Sequence, residues 1–261
     1  FENPRYTFDT NIMGSVNVLD CARVTKSIRS LIYVTSDKCY VNKEWVWGYR
    51  ENDQLGGHDP YSASKASAEL IFSSYLDSYF KNLDRKIGIA SVRAGNVIGG
   101  GDWSEGRIIP DCVNFLKNNK TILLRKPLAT RPWQHVLEPL SGYLLLAKQL
   151  YIEPRKISGS YNFGPEIKSN KTVQEIAEST IKIFGKGKIS SIDYSDISRE
   201  ATLLHLNCDK ANNILKWFPT WNYDETIETT IKWYKKFFKG TNPLRITEEN
   251  IDSFMIKSSD D

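Results

Sequence analysis

A rhythm in the apolar residues constrains this chain most. A run of only four, Leu31-Ile32-Tyr33-Val34, lies between two long segments of helical periodicity. Before it, Ile12, Val16, Leu19 and Ala22 recur at three- and four-residue steps through residues 7–23, the stripe of an amphipathic helix. After it, residues 61–80 read as a long helix with Ala66, Leu70, Ile71 and Tyr75 on one face. A second strand is expected over residues 87–92. Helix, strand, helix, strand is the pattern of a parallel α/β sheet whose strands are buried on both faces.

The rhythm loosens after Val92. Residues 95–106 hold five glycines and read as a loop. Residues 107–118 are expected to be helical, 122–125 a short strand, 137–151 a helix and 160–163 a return to the sheet. Thr172-Val-Gln-Glu175 is a capping box opening a helix to about Phe184. Helices are also expected over 209–215 and 223–238, with an irregular polar tail after Gly240. The expected domains are a nucleotide-binding core (1–106), a smaller mixed lobe with some return segments (107–240), and the tail (241–261).

Composition removes several function classes. Lys+Arg number 35 against 31 Asp+Glu, and a net charge of +4 is too small and scattered to argue for nucleic acid. Apolar stretches such as Tyr143-Leu144-Leu145-Leu146-Ala147 fall far short of a bilayer span, so no membrane is expected. Cys21, Cys39, Cys112 and Cys208 are far apart, and His58, His135 and His205 lack ligand-like spacing. No metal is expected, and free thiols point to the cytoplasm.

Two segments carry candidate chemistry. In Tyr61-Ser-Ala-Ser-Lys65 the phenol and the ammonium stack one helical turn apart, which favours a phenolate able to act as a base. Spacing alone is weak: with 13 tyrosines, about one such pair arises by chance. Thr35-Ser36-Asp37-Lys38 adds weight, because it follows the first strand at its carboxyl end, where open α/β sheets bind ligands. It offers a hydroxyl donor, an acid and a possible base; the plain alternative is a solvated turn.

Together Ser36, Tyr61 and Lys65 resemble the Ser/Thr–Tyr–Lys triad of the short-chain dehydrogenase/reductase superfamily, in its extended, sugar-nucleotide-modifying branch. Asp37 is similar to the acid of the nucleotide-sugar 4,6-dehydratases, which epimerases of the branch usually lack. The common dehydratase triplet is Thr-Asp-Glu. Ser36-Asp37-Lys38 departs from it and resembles the CDP-glucose 4,6-dehydratases, as do 35–54, 93–104 and 131–147. The resemblance runs from Phe1 to about Trp233.

It implies an α/β fold: a Rossmann-like doubly wound parallel sheet with a smaller mixed α/β substrate lobe. It implies NAD as a resident cofactor and CDP-glucose as substrate, early in the making of deoxysugars for surface polysaccharides such as O-antigen. Tyr61 would take the sugar 4-hydroxyl proton, Lys65 would aid it and bind the nicotinamide ribose, and Ser36 would hold the 4-oxygen. Asp37 would protonate the departing 6-hydroxyl, with Lys38 where other dehydratases keep a Glu base. A lysine acts as a base only when burial or a like charge depresses its ammonium; the alternative for Lys38 is pairing with Asp37 or a substrate oxygen. Asn96 would meet the sugar or diphosphate. Arg131, in Arg-Pro-Trp-Gln-His-Val, would grip the diphosphate, with Arg107 a weaker candidate and Arg199, beside Glu200, closing the nucleotide pocket.

Helices 7–23 and 61–80 resemble the pair that forms a four-helix homodimer interface in the superfamily. Leu215-Lys216-Trp217-Phe-Pro219 resembles the branch's Leu-Gly-Trp-x-Pro turn of the second lobe, with Lys216 in place of Gly. Gly99-Gly100-Gly101 reads as a flexible substrate loop, and Trp45-Val-Trp47-Gly-Tyr49 as lid or core, with core the safer reading. Two alternatives stay open: a dehydratase or epimerase for another nucleotide sugar, and a non-catalytic sugar-nucleotide-binding protein. The chain starts without Met and lacks a Gly-x-Gly-x-x-Gly fingerprint. The expectation is therefore that the amino-terminal half of the sheet is missing and that this segment alone binds NAD poorly.

Overall fold

The computed structural model describes residues 3–191 and 204–260. Helices α1 (Pro4–Phe8) and α2 (Gly14–Val24), with π-helical Asp9–Met13 between them, lead to β1 (Ser30–Val34). A 3-10 turn, Asp37–Cys39, precedes α3 (Pro60–Ser78) and β2 (Gly88–Ala94). Then come β3 (Val97–Ile98), α4 (Ile108–Lys117), β4 (Ile122–Leu124), β5 (Thr130–Pro132) and β6 (Gln134–His135). They are followed by α5 (Leu137–Ile152), α6 (Pro154–Ile157), β7 (Gly159–Phe163), β8 (Asn170–Thr172), α7 (Val173–Phe184) and β9 (Ile189–Ser191). A second π-helical turn, Ala211–Leu215, precedes α8 (Tyr223–Phe238) and α9 (Pro243–Asp260).

The chain forms two compact units. Of the described residues, the first gathers 3–95, 139–164 and 205–218, and the second 96–138, 165–191, 204 and 219–260.

A parallel sheet in the order β1-β2-β7 organises the first unit. Central β2 is buried along nearly its whole length, as its apolar run requires. Ile89 packs with Leu19, Ala22, Phe72 and Leu76. Ala90 and Val92 pack with Leu146, Leu150, Tyr161 and Phe163. Two separate apolar clusters on alternate residues of one strand are the signature of helices on both faces, a doubly wound sheet. Each fully buried large apolar side chain stabilises by about 1.5–3 kcal/mol. β1 differs from expectation: it is half-buried, and Val34 is 54 % exposed. Among the described residues β1 pairs with β2 alone, so it is an outer strand.

The face of α3 also differs. Ser64, Ala66, Ala68, Glu69, Phe72 and Leu76 are buried, whereas Leu70 is 60 % exposed. Small residues let the helix lie close to its neighbours, and an acid among them disguised the buried side. The helix starts where it does because the Asp59 carboxylate accepts the backbone N–H groups of Tyr61 and Ser62, with Pro60 in the first turn. Gly57 lies so close that a Cβ there would stand 2.3 Å from Ser62 Cβ; only glycine fits.

The turn at Leu215-Lys216-Trp217 closes a cluster of the first unit, not of a second lobe: Leu215 and Trp217 pack with Phe163 and Leu146. Lys216 sits at φ 58°, in the left-handed region that a glycine would occupy without strain.

In the second unit, parallel ladders β3–β6 and β4–β9 and antiparallel β5–β8 accompany α4, α7, α8 and α9. Ile109, Val113, Trp133, Ile176, Ile227, Ile231 and Tyr234 form the core. Capping boxes open α7 (Thr172 with Glu175) and α8 (Asn222 with Glu225). The tail expected to be irregular is α9, held by buried Ile246 and Phe254. The Trp233 indole N–H donates to Thr247 Oγ1 at 3.0 Å, and Phe254 packs edge-on to Trp221. Two apolar anchors in a polar segment make too thin a stripe to read from sequence.

Candidate active site

At the carboxyl end of β1, the Thr35 N–H donates to the Val92 carbonyl at 2.9 Å, carrying the ladder one residue past the strand. The next three residues leave the sheet. Ser36 is extended and caps the 3-10 turn: its Oγ accepts the Lys38 N–H at 3.2 Å and donates to Asp37 Oδ1 at 3.1 Å. Asp37 is buried, and Lys38 Nζ stands 3.9 Å from its Oδ2. Burial pushes the Cys39 thiol up to about 12, so it is an inert neighbour.

The 3-10 turn packs against α3. Tyr61, in the first turn of that helix, is 43 % exposed, and Lys65 Nζ lies 5.9 Å from its ring centroid. Burial lowers the Lys65 pKa, and Glu69 one turn further on works against that shift. At Asp59 burial opposes ionisation, but the Ser62 hydroxyl, the Ser62 and Tyr61 N–H groups and the Lys38 ammonium prevail, so its pKa is lowered. The structure thus brings Ser36, Asp37, Lys38, Tyr61 and Lys65 onto two neighbouring segments of one unit. A hydroxyl, a buried carboxyl, two amino groups and an accessible phenol suit proton transfer.

Sequence reading missed what lies beneath. Glu69 and Arg93 are 1 % and 2 % exposed, and Arg93 Nη2 meets Glu69 Oε2 at 2.6 Å. Thr35 donates its hydroxyl to Glu69 Oε1, and Ser91 donates to Oε2 at 2.8 Å. Arg93 Nη1 donates to the Tyr40 hydroxyl at 2.6 Å and to the Glu51 carbonyl at 3.0 Å. The Tyr40 hydroxyl in turn donates to Asn162 Oδ1 at 2.8 Å. The signal was present: one acid inside an apolar helix and one arginine inside an apolar strand, each too costly to bury alone.

The aromatic stretch is divided. Tyr49 is core, at 2 % exposure, but Trp47 is 68 % exposed, so the expectation of a wholly buried stretch fails. The rings form a chain outward from the core: Tyr49 stacks on Tyr40, Trp45 lies tilted against Tyr49, and Trp47 meets Trp45 edge-on.

Asn96, Arg107 and Arg131 lie in the second unit. Asn96 accepts the Gln134 N–H on its carbonyl at 3.1 Å. Arg131 is buried on β5 at 7 % exposure, unlike a solvated surface charge, and donates Nη1 to the Thr130 carbonyl at 2.7 Å. Arg107 is exposed and 3.4 Å from Asp102 Oδ2. The glycine loop is pinned: the Tyr234 hydroxyl donates to the Asp102 carbonyl at 2.6 Å. A Cβ on Gly100 would stand 2.1 Å from the Trp233 ring. Arg199, with Glu200, lies outside the described residues.

Comparison with known proteins gives the family. A sequence model described as GDP-mannose 4,6 dehydratase matches residues 1–230. A CDP-glucose 4,6-dehydratase of Salmonella typhimurium is 44 % identical over 258 residues, 98 % of this chain and 72 % of that protein. The crystal structure of dTDP-glucose 4,6-dehydratase from Bacillus anthracis, in complex with NAD, superposes with a TM-score of 0.73. It is 26 % identical, and the match covers 88 % of this chain and 68 % of that one. A UDP-glucose 4-epimerase from Thermotoga maritima, only 17 % identical, shares the fold at a TM-score of 0.74 over 91 % of this chain and 73 % of its own. Fold alone therefore spans dehydratases and epimerases, and it is the sequence match that separates them. On that match, the chain belongs to the GDP-mannose 4,6 dehydratase family, within the extended short-chain dehydrogenase/reductases.

Proposed function

We propose that this chain acts as a hydro-lyase, an NAD-dependent 4,6-dehydratase converting CDP-D-glucose to CDP-4-dehydro-6-deoxy-D-glucose. The observation that carries the reading is the packing of the Ser36-Asp37-Lys38 turn against the helix that presents Tyr61 and Lys65. The 44 % identity to a CDP-glucose 4,6-dehydratase supports the substrate.

Tyr61 takes the proton of the sugar 4-hydroxyl, which Ser36 holds by a hydrogen bond. Lys65, half-buried, places a positive charge one helical turn from the phenol. A partly desolvated ammonium next to an accessible phenol also fits the nicotinamide-ribose end of NAD, which Tyr61 and Lys65 would hold. When bound, NAD supplies a reversible hydride acceptor. A ketone at C4 makes the C5 proton acidic. Lys38 would remove that proton while Asp37 protonates the departing 6-hydroxyl, so that water leaves across C5–C6; return of the hydride to C6 and of a proton to C5 would then complete the 4-dehydro-6-deoxy sugar and leave the cofactor as it began. Asn96, Arg107, Arg131 and Arg199 bind the sugar nucleotide, with the buried guanidinium of Arg131 on the diphosphate.

We also infer a cytoplasmic homodimer. Tyr6, Met13, Val18 and Val24 near α1 and α2, and Leu70 and Tyr79 near α3, are exposed apolar residues on the expected dimer helices. Among the described residues no helix is long and apolar enough to cross a membrane.

The test is to incubate the holoenzyme with CDP-, UDP-, dTDP- and GDP-sugars and to read the product by mass. CDP-glucose should yield a product lighter by one water. Turnover of another nucleotide sugar alone would move the proposal to that substrate, and turnover of none would favour a binding role.

A further inference from the structure

We propose that Glu69 and Arg93 form a positioning pair for the reaction, fixing the spacing between the Ser36-Asp37-Lys38 turn and the Tyr61–Lys65 turn of α3. The proposal rests on the reading of those five residues as catalytic. Neither member touches substrate in it; both act through the segments they hold.

Stability alone is a poor reason for the pair. Taking two charges out of water is costly, and well-packed apolar residues often do as well. What sets this pair apart is where its hydrogen bonds go. Glu69 Oε1 takes the hydroxyl of Thr35, the residue just before Ser36, which also reaches the Val92 carbonyl at 3.2 Å. Arg93 Nη1 grips the hydroxyl of Tyr40, the residue just after the 3-10 turn, and its guanidinium stacks 4.9 Å from that ring. The catalytic turn is therefore held at both ends by one ion pair. Glu69 itself is rooted in α3, one turn past Lys65 and two past Tyr61. A helix transmits a displacement of one turn to the next almost rigidly. Ser91, and Ser160 at 3.4 Å, lock the carboxylate to β2 and β7 from below. Misplacing a reacting group by about 1 Å can cost on the order of a hundredfold in rate.

Glu69→Gln strands a buried arginine and puts the fold itself at stake, so the decisive variants are at Thr35, where Val is isosteric but cannot donate and Ser still can. In the holoenzyme, Thr35→Val should lower kcat about tenfold or more with KM for CDP-glucose within about twofold. It should also raise the isotope effect on kcat with C4-deuterated substrate, and speed amide exchange in residues 36–40. Thr35→Ser should restore all of these toward wild type. Wild-type kcat and isotope effect in Thr35→Val, with the parent enzyme active, would overturn the positioning role and leave the proposed function standing. So would an equal loss in both variants. A parent enzyme that forms no dehydrated product from CDP-glucose would overturn the function and this proposal with it.

Discussion

The Lys38 ammonium stands 3.9 Å from the carboxylate of Asp37, its neighbour in sequence. It also acts electrostatically on Asp59 at the head of α3. Pairing with Asp37 is the structural alternative to the proposed role of base, and the two are separable. Lys38→Ala should abolish deuterium wash-in at C5, whereas Lys38→Glu should retain part of it. Unchanged wash-in in the alanine variant would remove Lys38 from the role of base.

Tyr61 is accessible, so Tyr61→Phe isolates chemistry from folding. We expect kcat to fall by about 10²- to 10⁴-fold. The melting temperature should stay within a degree or so, and CDP-glucose affinity by calorimetry should change little. Retained turnover would exclude Tyr61 as the base.

Arg131 tests diphosphate recognition. Lysine keeps the charge but lacks the planar fork that meets two phosphate oxygens at once. Arg131→Lys should raise KM for the nucleotide sugar about tenfold while leaving kcat within a few-fold. A change confined to thermal stability would make Arg131 a core residue only.

Lys216 holds a left-handed conformation at φ 58°. Replacing it with glycine removes that strain, against a small entropic loss in the unfolded chain. Lys216→Gly should raise stability by about 0.5–1 kcal/mol in urea denaturation. A destabilised variant would show that the lysine side chain makes a contribution larger than its backbone strain.

Glu138 gives a pH signature. Burial raises its pKa from 4.5 to about 7, against the pull of the Thr220 and Trp221 N–H groups that it accepts. The folded state therefore keeps a proton that the unfolded chain releases. The stabilisation is full below about pH 4.5 and is lost as pH rises through about 7. Urea midpoints should fall across this window, and Glu138→Gln, though less stable overall, should fall less steeply.

Much of this was legible in residues. The run at β2, the Thr172 capping box and the Tyr61/Lys65 spacing are local signals, and each lies where sequence placed it. What was illegible depends on partners distant in the chain. Glu69 looks like a solvent-facing helix acid until Arg93 of β2 is beside it. The buried side of α3 follows from close packing of small residues, not from the largest apolar ones. In α9, two anchors against Trp221 and Trp233 decide a helix that its own composition does not advertise.

The cysteines make the Asp37–Cys39 turn its own stopwatch. Cys21 is exposed, while Cys39, next to Lys38, is sealed with a thiol raised to about 12. With Cys112 and Cys208 replaced by alanine, a thiol reagent should consume Cys21 at once and then wait for the 3-10 turn to open before it reaches Cys39. The lag between the two reactions times how often the floor of the site breathes, and ligands that clasp the turn should lengthen it.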